Sequence, residues 1–223
     1  MQNKLNTKME KNAEIFEQIV QKRKSFRAFD VDIQISDEIV KRSLERAILS
    51  PNSSNMQLWE FYVIKSEENK IKASEICFNQ PGAKTASQLV VFVARPDKWQ
   101  ERRKANIKNL DSNFINRESR GAAAAYYYYE NLVSDFYGEK AENTEVVTQK
   151  SVALAAQTFM LSISSEGFDS LPMEGFDEKQ MKAFLELPKE AHISMTIAVG
   201  KGLKEGLYGP RFRIPFKEVV FKL

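Results

Sequence analysis

The residues from Leu89 to Ala94 form an unbroken apolar run, and this run constrains the possible folds more than any other part of the sequence. Such a run is typical of a strand that other elements cover on both of its faces, and Arg95 and Pro96 end it. Helical patterns alternate with a few strand patterns along the rest of the chain. The sequence therefore predicts an α+β domain, or a three-layer domain with helices on both faces of a sheet.

Two predicted helices have well-marked ends. The first begins after Ser36, a capping residue followed by two acidic residues, and ends before Pro51. Its apolar face consists of Val40, Leu44, Ala47 and Ile48. The second spans residues 146–165 and ends at Gly167; it is apolar or small almost all round, which predicts a buried helix. In a chain of this length, such a helix suggests that the core continues across a subunit boundary.

Composition indicates one globular domain. The 223 residues are 43% hydrophobic, enough for a single core, and we assign residues 12–223 to one domain and residues 1–11 to a flexible polar tail. A net charge of +3 is too small to indicate a nucleic-acid-binding surface. No apolar stretch approaches the roughly 20 residues that span a bilayer. The single cysteine, Cys77, cannot form an internal disulfide, which fits a reducing compartment. We therefore expect a cytoplasmic protein that binds neither nucleic acid nor membrane.

A polar loop over residues 51–57 separates the first helix from the strand pattern Phe61–Ile64. The loop consists of polar or small residues and is followed by Trp59. It offers hydroxyls, amides and free backbone N–H groups between two rigid elements, which suits a polar ligand. An ordinary surface connection is the alternative interpretation.

Basic residues cluster at positions 22–27 and again at 211–213. In the first cluster Ser25 and Arg27 alternate with two phenylalanines, so an extended chain would place polar and aromatic side chains on opposite sides. A hydroxyl flanked by guanidinium groups matches a phosphate, which arginine can bind with two parallel hydrogen bonds. The alternative is that the first cluster only complements the C-terminus of the preceding helix.

Three other features favour structural roles or exclude a class of site. Tyr126 to Tyr129 cover all sides of a helix within the segment 97–143, and we expect an aromatic patch against the body or a partner subunit. His192, the only histidine, has no cysteine or carboxylate cluster beside it, so we predict no metal site. No G-x-G-x-x-G pattern follows a predicted strand, so a dinucleotide held in a Rossmann unit is not expected.

Four segments carry a resemblance to a known family. They are, in order, Lys22–Phe29, Pro51–Trp59, Pro172–Asp177 and Gly209–Pro215. Together they resemble the patterns of the FMN-dependent nitroreductase family, in particular its oxygen-insensitive NAD(P)H nitroreductase and dihydropteridine reductase branch, over residues 12–221. The resemblance implies a central, mostly antiparallel sheet with helices on both faces. It also implies an interlocked homodimer with FMN at the interface.

The same resemblance implies a cofactor and a set of residues that bind it. FMN would receive electrons from NADH or NADPH and pass them to a small-molecule acceptor such as a nitroaromatic compound or a quinone. The reactive centre would be flavin N5, so no side chain is predicted to be catalytic. The implied cofactor-binding residues are Arg23, Lys24, Ser25, Arg27, Pro51, Asn52, Ser53, Asn55, Gln57, Asn79, Met173, Glu174, Gly175, Arg211 and Arg213.

Within this set the resemblance implies separate roles. Arg27 would lie near flavin N1 and O2, where its charge stabilises the reduced ring. Asn79 would bond the pyrimidine edge of the ring. The backbone of Glu174 and Gly175 would reach N5, since glycine lets the main chain approach a flat ring closely. The 51–57 loop would come from the partner subunit.

The chain departs from the family pattern at three positions. Asn52 replaces the usual serine, Leu58 replaces the usual proline, and Gly82 lies where the family has a basic residue, for which Lys84 could compensate. Two other functions remain open. One is a flavin-binding protein without turnover, in which the 97–143 segment covers the ring. The other is a different flavin chemistry on the same scaffold, such as reductive dehalogenation or dehydrogenation of a small substrate.

Overall fold

A computed structural model describes residues 2–113, 120–138 and 141–223 of the chain. Met1 of the predicted tail, and residues 114–119 and 139–140 of the 97–143 segment, lie outside the described residues. The α-helices within the described ranges are α1 (Gln2–Lys22), α2 (Asp37–Ala47), α3 (Glu67–Ile76), α4 (Pro81–Thr85), α5 (Trp99–Asn113), α6 (Arg120–Tyr127), α7 (Val133–Tyr137), α8 (Thr144–Ser165), α9 (Glu178–Phe184) and α10 (Phe216–Val219).

The strands of this part of the chain form one antiparallel sheet. They are β1 (Phe29–Asp30), β2 (Trp59–Ile64), β3 (Gln88–Ala94), β4 (Asp169–Met173) and β5 (His192–Gly202). β3 pairs with β2 on one side and with β5 on the other, and β5 also pairs with β4 and β1. In this register Val91 of β3 lies opposite Tyr62 of β2 and Thr196 of β5.

Every residue of β3 is buried, as the unbroken apolar run predicted. Leu89, Val91 and Val93 pack into one core with residues of α3, α4 and α9. The alternate residues Val90, Phe92 and Ala94 pack into a second core with residues of α2 and α8. This alternation follows from the two-residue period of a strand, and it confirms the predicted sheet with helices on both faces.

The helix boundaries largely agree with the capping signals. The Ser36 hydroxyl accepts a hydrogen bond from Ile39 N, and α2 ends before Pro51 as predicted. The prediction that the helix 146–165 is buried all round is wrong for the single chain. Val146 and Leu154 of α8 are about half exposed on one stripe, whereas Val152, Phe159 and Ile163 on the other side are buried.

The sequence did not predict β1, α4 or β4. β1 is only two residues long. β4 contains Pro172, which is tolerated in an edge strand: β4 pairs with β5 on one side, and an isolated bridge joins its Ser170 to Ser25. α1 includes residues 2–11, so the segment assigned to a polar tail is helical. Its flexibility stays a prediction, as does the assignment of residues 12–223 to one domain.

Candidate functional site

Two adjoining pockets form a cleft lined by four stretches that lie far apart in sequence. The pockets have volumes of about 220 and about 410 Å³, and both are lined by Arg27 and Tyr208. The smaller pocket is otherwise formed by residues 23–25 and 207–213. The larger is otherwise formed by residues 80–82 and 171–175. We refer to them as the basic pocket and the turn pocket.

The basic pocket concentrates positive charge. It is lined by Arg23, Arg27, Arg211 and Arg213, together with Lys24 and Ser25. In the part of the chain that the structure describes, none of these arginines forms an ion pair with a carboxylate. Burial lowers the pKa of the Arg23 guanidinium below its usual value, and the charges of Arg211 and Arg213 lower it further. A bound anion would offset all of these effects.

Arg211 also has a structural role. Its guanidinium donates hydrogen bonds to the carbonyl oxygens of Gln21 at 3.0 Å and Val20 at 3.4 Å, and to that of Arg23. The carbonyl groups at the C-terminus of a helix carry partial negative charge, which favours a cation there. Arg211 therefore joins the C-terminal segment to the end of α1 and brings the two predicted basic clusters together.

Backbone contacts hold Arg27 at the junction of the two pockets. Arg27 N donates to Gly206 O at 2.9 Å, and Leu203 N donates to Ala28 O at 3.0 Å. A Cβ at Gly206 would lie 2.6 Å from Ala28 N, so only glycine permits this approach. The guanidinium carbon of Arg27 lies 4.4 Å from the centroid of the Tyr208 ring, a cation–π contact. Both aromatic side chains of this segment reach the core, because Phe29 is buried and Phe26 packs against the same core. The chain bends at Arg27, so Phe29 does not follow the predicted two-residue alternation.

The turn pocket is formed where the end of β4 meets the turn before α4. The Gln80 side chain donates to Gly175 O at 2.6 Å and to Cys77 O at 3.1 Å, and so ties the two turns together. A Cβ at Gly82 would lie 2.4 Å from the Leu171 side chain. The clash is with the end of a side chain, so a larger residue at position 82 would require Leu171 to shift. Lys84 is exposed and lines neither pocket.

The polar loop lies apart from the cleft of its own chain. Its residues line neither pocket. The Asn52 carboxamide oxygen accepts a hydrogen bond from Gln57 N at 2.8 Å and closes the loop, while Ser53 N donates to the Ser151 hydroxyl of α8 at 3.2 Å. Leu58 is buried in a cluster that includes aromatic residues of α6 and α7. Two of the departures from the family pattern, Asn52 and Leu58, therefore support the loop.

The structure thus brings together only part of the predicted set. The predicted residues that line the cleft are Arg23, Lys24, Ser25, Arg27, Met173, Glu174, Gly175, Arg211 and Arg213. Those that do not are Pro51, Asn52, Ser53, Asn55, Gln57 and Asn79. Sequence reasoning missed Gln80 and Tyr208. Two local signals could have identified them: Gln80 precedes Pro81 at a helix start, and Tyr208 is an aromatic residue in a glycine-rich loop.

The described residues offer neither a cluster suited to a metal ion nor a helix suited to a membrane. Among them, no group of three or more His, Cys, Asp or Glu residues is placed to hold a metal ion. None of the helices in the described ranges is both long and apolar enough to cross a membrane. His192 Nδ1 lies 3.3 Å from Glu145 Oε1, a contact between the start of β5 and the start of α8 that agrees with a structural role.

Comparisons with known proteins point to one family. The sequence model described as "Nitroreductase family" matches residues 20–201. The chain is 29% identical over 182 residues to "Protein DrgA" of Synechocystis sp., covering 82% of this chain and 81% of that protein. It is 27% identical over 210 residues to "Oxygen-insensitive NAD(P)H nitroreductase" of Enterobacter cloacae, covering 89% and 95%. A protein of Exiguobacterium sibiricum assigned to the nitroreductases and solved in complex with FMN aligns with a TM-score of 0.78 at 26% identity, covering 93% and 97%.

Proposed function

The chain belongs to the nitroreductase family and is an oxidoreductase, and from this premise we propose that it uses NADH or NADPH to reduce nitroaromatic compounds, quinones or similar small acceptors with the aid of FMN. One observation supports the proposal above all others. Four arginines that form no ion pair with any carboxylate of the described residues line the basic pocket, which suits the phosphate dianion of FMN. The adjoining turn pocket suits the flavin ring in volume and in its exposed backbone.

Different residues of the cleft would bind different parts of FMN. Arg23, Arg211 and Arg213 would hold the phosphate, with Ser25 as an additional donor. Arg27 would place a positive charge against the ring. The backbone around Glu174 and Gly175 would contact the ring, and the Gln80 bond to Gly175 O would keep that turn in place. When bound, FMN supplies the hydride chemistry that no side chain of the cleft supplies.

We also propose that the protein is an interlocked homodimer. The polar loop lies outside the cleft of its own chain, so its predicted contact with FMN requires the loop of a second copy. Apolar side chains are exposed on α1, on the outer stripe of α8 and along the C-terminal segment, where Phe212, Phe216 and Phe221 are each about three-quarters exposed. Such surfaces are typical of proteins that bury them against another subunit.

Light scattering tests the dimer directly. We expect a species of twice 25.6 kDa at micromolar concentration. A monomer that still binds FMN would contradict the dimer and the role of the partner's loop.

The location in the cytoplasm stays a prediction from the sequence.

Nucleotide and acceptor would use the same cleft in turn, because both would have to reach the flavin ring in the turn pocket beside Arg27 and Tyr208. Initial rates measured at several acceptor concentrations should then give parallel double-reciprocal lines, and excess acceptor should inhibit competitively against the nucleotide. Intersecting lines would indicate that both bind together and would contradict this mechanism.

Anaerobic stopped-flow absorbance of the FMN-loaded protein tests the activity itself. We expect rapid bleaching of the oxidised flavin by NADH or NADPH, followed by rapid reoxidation by a nitroaromatic compound or quinone. Slow bleaching by both nucleotides would favour a flavin-binding protein without turnover. Rapid bleaching with poor reoxidation by these acceptors would favour a different flavin chemistry.

A further inference from the structure

The polar loop has an unusual backbone. Ser54, Asn55 and Gln57 have φ angles of 54°, 50° and 49°, so three of four consecutive residues adopt the left-handed conformation without being glycine. This conformation costs free energy for residues with a Cβ, although asparagine tolerates it better than serine or glutamine. A loop of this kind keeps one shape only where its surroundings hold it.

Side chains of the 97–143 segment hold the loop from outside. The Tyr129 hydroxyl donates to Ser54 O at 2.8 Å, and the Tyr137 hydroxyl donates to Ser53 O at 3.1 Å. The Tyr128 and Ser54 hydroxyls are also hydrogen-bonded to each other.

An asparagine of α5 adds two further bonds. Its side-chain amide exchanges hydrogen bonds with Asn55: the Asn106 amide nitrogen donates to Asn55 O at 3.0 Å, and the Asn55 amide nitrogen donates to the Asn106 side-chain oxygen at 3.0 Å. Three consecutive residues of the loop are therefore bonded to this segment.

A π-helical turn brings the two donor tyrosines to the same side. Tyr129 and Tyr137 are eight residues apart, which in a regular α-helix would rotate their side chains about 80° away from each other. The π-helical turn Tyr128–Leu132 adds about one residue to the turn between them, which reduces this angle to about 20°. Both hydroxyls can therefore reach neighbouring carbonyl oxygens of one loop.

We propose that Tyr129 and Tyr137 are positioning residues for the cofactor: their hydroxyl groups hold the 52–57 loop in the shape in which it contacts FMN bound to the other subunit. The inference rests on the proposed function, since it takes FMN as the ligand of the loop. It assigns the run of tyrosines a role beyond the aromatic patch predicted from the sequence. A loop that is already ordered loses less conformational entropy on binding, which raises the affinity.

The protonation state of these side chains supports the assignment. Burial raises the pKa of Tyr129 and Tyr137 above the usual value for tyrosine. Both hydroxyls therefore keep their protons at neutral pH and can act as donors to the loop carbonyls.

The test uses a double variant, Tyr129→Phe with Tyr137→Phe, and a matched control, Tyr127→Phe. The double variant removes only the two hydroxyls and keeps the rings in place. Tyr127 belongs to the same run of tyrosines but is 59% exposed, so its substitution makes the same chemical change away from the loop. Two properties are measured for each protein as the full-length chain: amide hydrogen exchange without FMN, and the Kd for FMN and for riboflavin.

We expect faster exchange of the amides of residues 53–57 in the double variant, with α2 and β3 unchanged. We expect its Kd for FMN to rise roughly 5- to 100-fold, as the loss of two buried hydrogen bonds implies, while Tyr127→Phe changes it less than about 2-fold. The Kd for riboflavin should rise by the same factor as that for FMN, because the loop would contact the ribityl chain, which the two ligands share.

Each contrary result would overturn a different part of the argument. Unchanged exchange of residues 53–57 would show that the tyrosines do not hold the loop. Faster exchange with an unchanged Kd for both flavins would show a structural role without any effect on the cofactor. A parent protein that binds no FMN would overturn the proposed function, whereas its exchange rates would still decide whether the tyrosines hold the loop.

Discussion

Replacing Arg23 with glutamine should raise the stability of the free protein or leave it unchanged, and should weaken FMN binding. The two effects have a common cause. In the free protein the Arg23 charge is half-buried beside Arg211 and Arg213, without a carboxylate partner among the described residues, and these surroundings lower its pKa. A lowered pKa in a basic group means that the folded state disfavours the charged form. Glutamine removes that unfavourable charge, but it also removes a donor to the phosphate.

The magnitudes follow from the kind of contact that is lost. A charge-assisted hydrogen bond contributes about 1.5–3 kcal/mol, so a loss of about 2 kcal/mol should raise the Kd for FMN about 30-fold. With FMN at 100 times the parent's Kd, binding stabilises the parent by about 2.7 kcal/mol and the variant by only about 0.9 kcal/mol. For a chain of this length, these energies correspond to increases in Tm of about 5–11 °C and about 2–4 °C.

Thermal unfolding of free and FMN-loaded protein measures both effects in one experiment. The matched control is Lys22→Gln, which makes the same change in net charge one residue earlier, outside the lining of the basic pocket. We expect the control to retain the full increase in Tm with FMN. An Arg23→Gln variant with the same FMN-induced increase as the parent would refute the assignment of this pocket to the phosphate. A large fall in the Tm of the free protein would refute the claim that the charge is unfavourable there.

Three further predictions follow from single sites. Gly206→Ala should destabilise the protein by about 1–3 kcal/mol in urea unfolding, because its Cβ would lie 2.6 Å from Ala28 N. At Gly121 a Cβ meets nothing within 4 Å, so Gly121→Ala should stabilise α6 by about 0.5–1 kcal/mol. Equal effects of the two substitutions would contradict the packing argument. Burial raises the pKa of Cys77 to about 11, so at pH 8 little of the reactive thiolate is present in the native protein. A thiol reagent should therefore label the native protein roughly 100-fold more slowly than the unfolded chain. Rapid labelling of the native protein would show that the thiol is accessible. Arg27→Gln should slow flavin reduction by NAD(P)H more than it raises the Kd of the nucleotide, the pattern of a contact that strengthens in the transition state; an unchanged reduction rate would exclude that role.

Several elements could be predicted from local sequence because their causes are local. β3 follows from an unbroken apolar run, α2 from its capping serine, and α9 from Asp177, whose carboxylate accepts a hydrogen bond from Gln180 N at 2.9 Å. β1 and β4 could not be predicted in this way. They are strands because β5 offers partners for their backbone groups, and neither has an apolar pattern long enough to indicate this.

The chemical character of the cleft was determined by the sequence alone. Arginine side chains, a serine and a glycine turn are present whatever the fold, and their resemblance to family patterns identified the family. Their convergence required the tertiary structure, because the stretches 23–27, 171–175 and 207–213 meet only when β4 and β5 pair and the C-terminal segment docks on α1.

Tertiary structure alone decided three other points. It separated the polar loop from the cleft of its own chain, it placed Gln80 rather than Asn79 in the lining, and it bonded Tyr129 and Tyr137 to the loop. Each depends on contacts between residues distant in sequence, or on which side of a turn a side chain lies. Residue type and local periodicity determine whether a stretch favours a helix or a strand and whether a side chain is charged. The distance between two helices, strands or charged side chains is set by the packing of the whole chain.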